Sequence, residues 1–355
     1  MQWYDLTLRV ESALGTLLAA DTLFGHLCWG LRDHRGPAAL EEFLAAYGTG
    51  TPPLLLSDPT PVGFWPLPHL PRPIPEKQRM LEQYLITQEA AALRERLQIC
   101  PALHRIKTRT LSAVDVFDVL KWMSTLRWLP HDVLTATIDQ FSMIAIQWYF
   151  LKNGCGQPTV PCKAVVAHNT INRLSNATGD EGSLFFTEEL HIDPAQPPRF
   201  HLVVGSEEYS AGQIREMFDH ALQAGYGKYK SRGKGKVLVE SLDPIELPTA
   251  RNPNAVLLLA ACAPAAEDPV EGYWKLHTKA GRLGGEWAVG PHPSGKHNPF
   301  KKPLTMLTAG SVLKTSSPRP FYGRLVAGIH ADFPEVRHYG LAPAIPVCLV
   351  EEALS

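Results

Sequence analysis

Nine of the residues between Pro52 and Pro75 are prolines (PPLLLSDPTPVGFWPLPHLPRPIP). Proline has no backbone N–H to give to a ladder, so this segment can supply only short edge strands and extended loop. It divides the chain. Before it, Tyr4, Leu6, Leu8 and Val10 alternate with Asp5, Thr7 and Arg9, the period-two pattern of a half-buried strand. ADTLFGHLCWGLRDH then reads as a helix, with Asp21 as its cap and Leu23, Phe24, Leu27, Cys28 and Leu31 on one face. After the prolines, from Glu76 to about Leu151, the pattern is mostly helical (EKQRMLEQYLITQEAAALRERL) and reads as an insertion between sheet elements.

Strand character returns after Pro161. KAVVAHNTINRLSNATGDEGSLFFTEELHI holds two strand candidates around the polar turn NATGDEG, a long hairpin at about 164–192. FHLVVG is a strand. Ser210 and Gln213 then make a capping box for a helix whose buried stripe is Ile214, Met217, Phe218, Ala221 and Leu222, with Gly225 as its terminating glycine. KVLVE is the next strand. Beyond LDPIELPTARNPN come five strand candidates: AVLLLAACA, GYWKLHTKAG, LTMLTAGSVL, FYGRLVAGIH and LAPAIPVCLV. At 355 residues and 45% hydrophobic content the chain can bury two cores. The order lacks regular βαβ alternation, so the class is α+β, divided at 1–245 and 246–355.

Lys and Arg number 34 against 35 Asp and Glu, so nothing global draws the chain to nucleic acid or membrane, and recognition must come from local clustering. The six cysteines are scattered, several in apolar runs. Cys155 and Cys162 are too far apart for a short zinc knuckle. VLTATIDQFSMIAIQWYFL carries Asp139, Gln140 and Gln147, which reads as buried helix and not as a membrane span. The start MQWYDLTLRV has no signal-peptide pattern, and a cytoplasmic location with reduced thiols is expected.

The strongest local cluster is GYGKYKSRGKGK, Gly225 to Lys236: four glycines and five basic side chains with no acid. A P-loop does not fit. Lys228 stands where the glycine opening the spacing to Gly233-Lys234 belongs, Gly235 stands where Ser or Thr should hold magnesium, and a strand follows instead of a helix. A dinucleotide fingerprint fails at Lys230. A solvated connector remains the plain alternative. The pattern favours a cradle for an RNA backbone. Glycines let N–H groups approach phosphates, while Lys228, Lys230, Arg232, Lys234 and Lys236 neutralise charge. Tyr226 or Tyr229 could stack on an unpaired base, worth roughly 1–3 kcal/mol.

Glycine–hydrophobic–glycine, a five-residue spacer with a base, then glycine–any–glycine resembles the signature loop of the RAMP superfamily of CRISPR-associated proteins. ADTLFGHLCWGLR is similar to the first helix of the RAMP subunit that caps the crRNA 5′ end in type III-A (Csm) effector complexes. PPLLLSDPTPVGFWPLP, HNTINRLSNATGDEGSLFFTEE, AGSVL and HYGLAPAIPV follow in the matching order. The resemblance spans nearly the whole chain and departs from it in the helical region from Glu76 to Leu151. It implies two ferredoxin-like (RRM-type) domains with a hairpin thumb, gripping the repeat-derived 5′ tag of a guide RNA in antiviral defence. Its implied neighbours are the large polymerase-palm subunit and the backbone RAMP subunit, with target RNA reached indirectly. By the same resemblance Gly225, Gly227, Gly233 and Gly235 shape the cradle, Lys228, Lys230, Arg232 and Lys234 meet phosphates, and His168, Asn169, Asn172 and Arg173 contact RNA from the hairpin. Asn and Arg suit unpaired bases and phosphates.

The same resemblance implies no catalysis, and the residue pattern itself calls for no cofactor and no metal. The competing reading is a metal-independent RAMP endoribonuclease that processes precursor crRNA, with His26 or His168 moving the proton. His26 sits beside Leu27 and Cys28 at a packing position, which favours a structural role. A subunit that only binds other proteins is a third reading. His131-Asp132 follows Pro130 and reads as a helix start, and Trp122, Trp128 and Trp148 read as core or interface aromatics.

Overall fold

The structure, a computed structural model, describes residues 1–48, 50–98, 100–156, 158–175, 177–178 and 184–350. The alternating segment is β1 (Gln2–Val10), whose Leu6, Leu8 and Val10 are fully buried beneath α1 (Ala20–Arg35). After α2 (Pro37–Ala46) the proline segment gives β2 (Leu55–Leu56), β3 (Thr60–Pro61) and β4 (Phe64–Pro66), no longer than the missing donors allow. The insertion holds α3 (Pro75–Thr87), α4 (Ala90–Arg96), α5 (Pro101–Arg105), α6 (Ala113–Met123), β5 (Trp128–Pro130), α7 (His131–Thr137) and α8 (Met143–Asn153). The most apolar stretch is therefore cut between α7 and α8, and no described helix is long and apolar enough to cross a membrane.

Next come β6 (Cys162–Asn169), β7 (Ile171–Asn172), β8 (Ala177–Thr178) and β9 (Leu184–His191). β6 pairs β9 from Cys162↔His191 to Asn169↔Leu184, and β7 pairs β8, so the expected hairpin is present. Of its polar turn NATGDEG, Asn176 and the residues from 179 on lie outside the described residues. The first half closes with β10 (Arg199–Ser206), α9 (Ala211–Leu222) and β11 (Val237–Ile245). α9 carries the expected capping box, and all five residues of its stripe are buried. The first sheet runs β11-β1-β10-β2, antiparallel throughout, with β3 also on β10.

One face of this sheet packs under α1 and α9. The other is polar and already engaged. Arg9 and Arg199 share Glu240, at 3.6 Å and 2.6 Å, and His201 bridges the Asp5 carboxylate and the Phe64 carbonyl. Val203 from the same face joins the core of the helical insertion.

The second half consists of β12 (Ala255–Leu258), β13 (Gly272–Tyr273), β14 (Leu276–Lys279), β15 (Leu304–Leu307), β16 (Val312–Lys314), β17 (Phe321–Val326) and β18 (His338–Val347). Two of the five expected strands are each split. GYWKLHTKAG gives β13 and β14, and LTMLTAGSVL gives β15 and β16. β13 and β16 join the sheet β13-β16-β12-β18-β17, whereas β14 and β15 form a separate ribbon. The chain turns between β15 and β16 at Gly310, whose φ of +88° suits glycine. Among described residues beyond 245 the only helical piece is a 3-10 turn, Gly285–Ala288, so the second half is strand-rich as expected and lacks, among those residues, the helices of a ferredoxin-like domain.

The two halves share one core, where Leu6, Leu202 and Phe218 cluster with Val256, Leu258 and Tyr339. Phe24 lies 4.9 Å from the Tyr339 ring, and Tyr339 Oη accepts the Leu56 N–H at 2.7 Å. Asp21 is not the cap of α1. It sits in the first turn, paired with Lys279 at 2.6 Å and 3.2 Å from His338, which together hold it well below the usual carboxylate range although burial alone would raise it. The capping is done from the proline segment. Asp58 accepts the Ala20 N–H at 2.8 Å and, across the halves, the Ala261 N–H at 3.0 Å. Burial raises this carboxyl to about 6 against the pull of those amides.

Replacing Asp58 with Ala leaves two amides without an acceptor, so Asp58→Ala should lose about 2–4 kcal/mol of stability. Urea unfolding at neutral pH measures it. A variant as stable as the parent would show that the cap contributes nothing.

Candidate nucleic-acid interface

The glycine-rich stretch joins the end of α9 to β11, as a helix-to-strand junction. Gly225, Gly227, Gly233 and Gly235 all adopt positive φ, and a 3-10 turn covers Lys230–Arg232. Gly235 has no alternative: at φ +76° a Cβ would stand 2.1 Å from the Tyr226 carbonyl oxygen. A second glycine, Gly15, lets the segment after β1 pass under the loop, since a Cβ there would meet the Lys228 carbonyl oxygen at 2.3 Å. Tyr229 adopts φ +67°, the only described non-glycine residue with positive φ.

The loop is fastened from below. Tyr226 is fully buried, donates its hydroxyl to the Leu17 carbonyl at 2.8 Å and accepts the Ala19 N–H at 3.0 Å, at the start of α1. Burial pushes its phenol well above the ordinary value. The Gly227 N–H donates to His26 Nε2 at 2.9 Å, so that nitrogen carries no proton. Burial, and then the charge of Lys230, lower the His26 imidazole to about 4. Gly235 N–H donates to the Ala13 carbonyl, and Lys236 N–H to Ser12 Oγ, both at 2.8 Å.

The five cations divide into two sets. Lys234 stands 2.9 Å from Glu189 of the hairpin and Lys236 2.7 Å from Glu11. Each lysine lowers the pKa of its carboxylate, and the Glu189 side chain is only 2% exposed. Lys228, Lys230 and Arg232 are exposed and have no carboxylate partner among the described residues. Lys228 Nζ lies 4.4 Å from the Tyr229 ring centre, and the Arg232 guanidinium 5.3 Å from the same ring and 5.6 Å from that of Phe185. Phe185 stacks on His168 at 5.3 Å. Hairpin and loop therefore meet in one ladder, His168–Phe185–Arg232–Tyr229–Lys228, of three rings and two cations. Beneath it Glu189 faces Lys234, His168 at 3.5 Å and His191 at 3.6 Å. Such a ladder presents stacking faces and phosphate partners together.

The structure brings the two segments expected to bind RNA onto one surface. It also redistributes their residues. Tyr226 is a buried post and cannot stack on a base, because its ring fills the space between α1 and the loop. Lys234 and Lys236 are engaged by carboxylates of their own chain. His168 bonds Thr187 Oγ1 at 2.8 Å, on the inner face of the hairpin, while Asn169 and Arg173 are exposed. Asn172 is placed by its backbone alone, in β7. Phe185, Glu189 and His191 join the site without having been singled out from the sequence. Their alternation with outward-facing residues in LFFTEELH carried the signal, since Phe185, Thr187 and Glu189 share one strand face.

No family model matches the chain, and no curated protein matches it by sequence. Solved structures of the Csm1–Csm4 cassette share its fold. With AMPPNP the TM-score is 0.54 at 16% identity, with pppApApA 0.52 at 17%, and with cA4 0.51 at 16%; each covers 99% of this chain and 100% of the other. The likeness is one of fold, shared with a chain of the Csm1–Csm4 cassette, and it agrees with the setting that the sequence resemblance points to.

His26 generates a pH prediction. Its folded-state value of about 4 lies below the ~6.5 of a free imidazole, so the unfolded chain binds more protons between those limits. Stability should be complete above pH ~6.5 and fall as pH drops towards ~4. Urea midpoints at pH 7 and pH 5 should differ less in His26→Ala than in the parent. An equal difference would remove His26 as a contributor.

Proposed function

We propose that this chain is a non-catalytic RNA-binding subunit of a type III CRISPR effector, holding the 5′ tag of crRNA where the glycine loop meets the hairpin. The ladder of three rings and two cations carries the reading. Its rings offer π-faces to unpaired bases, and Lys228, Lys230 and Arg232 are the loop cations left for phosphates. The likeness to the Csm1–Csm4 cassette supports an effector setting, in which the large polymerase-palm subunit and the backbone RAMP subunit are the expected neighbours. The β1-α1-β2-β10-α9-β11 path with sheet order β11-β1-β10-β2 supports a ferredoxin-like first domain interrupted by the helical insertion. Its engaged polar sheet face argues that RNA is held at the loop end of the domain instead.

The absence of catalysis is likewise proposed from geometry. His26 Nε2 already accepts the Gly227 N–H and the ring titrates far below neutrality, which suits a brace better than an acid or base. A type III complex in a bacterial or archaeal cell implies a cytoplasmic site of action.

Replacing Lys228, Lys230 and Arg232 together with Ala should weaken binding of labelled repeat RNA about tenfold or more and flatten its salt dependence by roughly 2 in log–log slope. Filter binding across a salt series measures both. Metal-free incubation of the same mixtures should leave the RNA intact. A discrete product abolished by His26→Ala or His168→Ala would establish the endoribonuclease instead, and unchanged RNA retention by the triple variant would leave the chain a protein-binding subunit.

A further inference from the structure

The glycine loop is not the largest basic region of the molecule. Trp274 to Lys302 carries six lysines and arginines against one carboxylate, Glu286, in a chain of net charge −1. This segment comprises β14 and the long connection to β15. Three of its cations are used inside the fold: Lys279 pairs with Asp21, and Lys301 and Lys302 donate to the Arg337 and Gly328 carbonyls at 3.1 Å and 3.2 Å. Glu286 is taken up by Arg32 of α1 at 2.7 Å. Lys275, Arg282 and Lys296 are exposed and have no carboxylate partner among the described residues. Exposed aromatics flank them in sequence, Trp274 beside Lys275 and Phe300 beyond Lys296. Trp274 is 45% and Phe300 54% exposed, and Phe300 is the cross-strand partner of Arg282.

This segment runs along α1, the helix the glycine loop also grips. Lys279 is fixed at the first turn of α1, and Gly284 and Gly285 lie against Trp29 farther along it. Tyr226 of the glycine loop holds the Ala19 N–H one residue before the helix begins. The two basic surfaces therefore flank the same helix end.

We propose that the β14 segment is a second RNA-contacting surface, where Lys275, Arg282 and Lys296 neutralise phosphates and Phe300 receives a base, of a strand leaving the glycine loop past the start of α1. It rests on the reading of the chain as an RNA binder. A single-stranded polyanion fits better than a protein partner, because three exposed cations without a carboxylate partner among the described residues are spread over the segment and exposed rings stand beside two of them, Trp274 next to Lys275 and Phe300 across from Arg282.

The test uses the full chain, labelled single-stranded RNAs of ~6 and ~20 nucleotides, and the variant Lys275→Gln/Arg282→Gln/Lys296→Gln. All three side chains are exposed, and a thermal melt matching the parent verifies folding. The variant should bind the short RNA as the parent does, lose about tenfold on the long one and lower its salt slope by roughly 2. Crosslinking of 4-thiouridine RNA should label peptides within Trp274–Lys302. Unchanged long-RNA binding with no such crosslinks overturns this surface while leaving the glycine-loop function intact. Loss of binding to a protein subunit with RNA affinity unchanged assigns the surface to that partner and overturns it equally. A parent chain that binds neither RNA removes both readings.

Discussion

The first turn of α1 is where the architecture is decided. A helix start presents backbone N–H groups with no partner inside the helix, and here the local sequence offers none: the residue before the helix is Ala19. Asp58 and Tyr226 supply the acceptors, from the proline segment and from the glycine loop. Because Asp58 also binds the Ala261 amide, one carboxylate fixes the helix, the edge of the first sheet and the second half of the chain together. The loop is thus attached to the same point that organises the core. A surface feature with this many glycines needs such an anchor to hold a defined shape.

Above that anchor, charge is sorted by partner. Lys234 and Lys236 tie the loop to the hairpin and to the segment after β1, while Lys228, Lys230 and Arg232 remain for solvent or ligand. Glu189 is the pivot of this arrangement, since it is buried between the two segments and faces three groups able to carry positive charge. Breaking one such pair leaves a charge stranded in a poor solvent, so the junction is held by the penalty of opening it more than by the attraction itself.

Much of this was legible in the sequence. The proline run announced short edge strands, the Ser210–Gln213 box and its stripe gave α9 in full, and the glycine loop was placed between helix and strand. These are local signals. What escaped depends on distance in sequence: the cap of α1 by a residue 38 positions on, the inward turn of Tyr226, and the neutralisation of Lys234 by Glu189. Composition alone cannot say which of five similar cations has a carboxylate beneath it. The split of GYWKLHTKAG and LTMLTAGSVL was hidden for another reason, since each reads as one continuous strand while its halves join different sheets.

Tyr229 holds a left-handed backbone conformation among four glycines, at a position where glycine would sit without strain. That costs on the order of 1 kcal/mol, and no hydrogen bond of the phenol among the described residues offsets it. What the ring does have is two cations beside it. Relaxing the backbone by removing the side chain would therefore erase the middle rung between Lys228 and Arg232, so conformational ease and a continuous contact surface are mutually exclusive at this one residue.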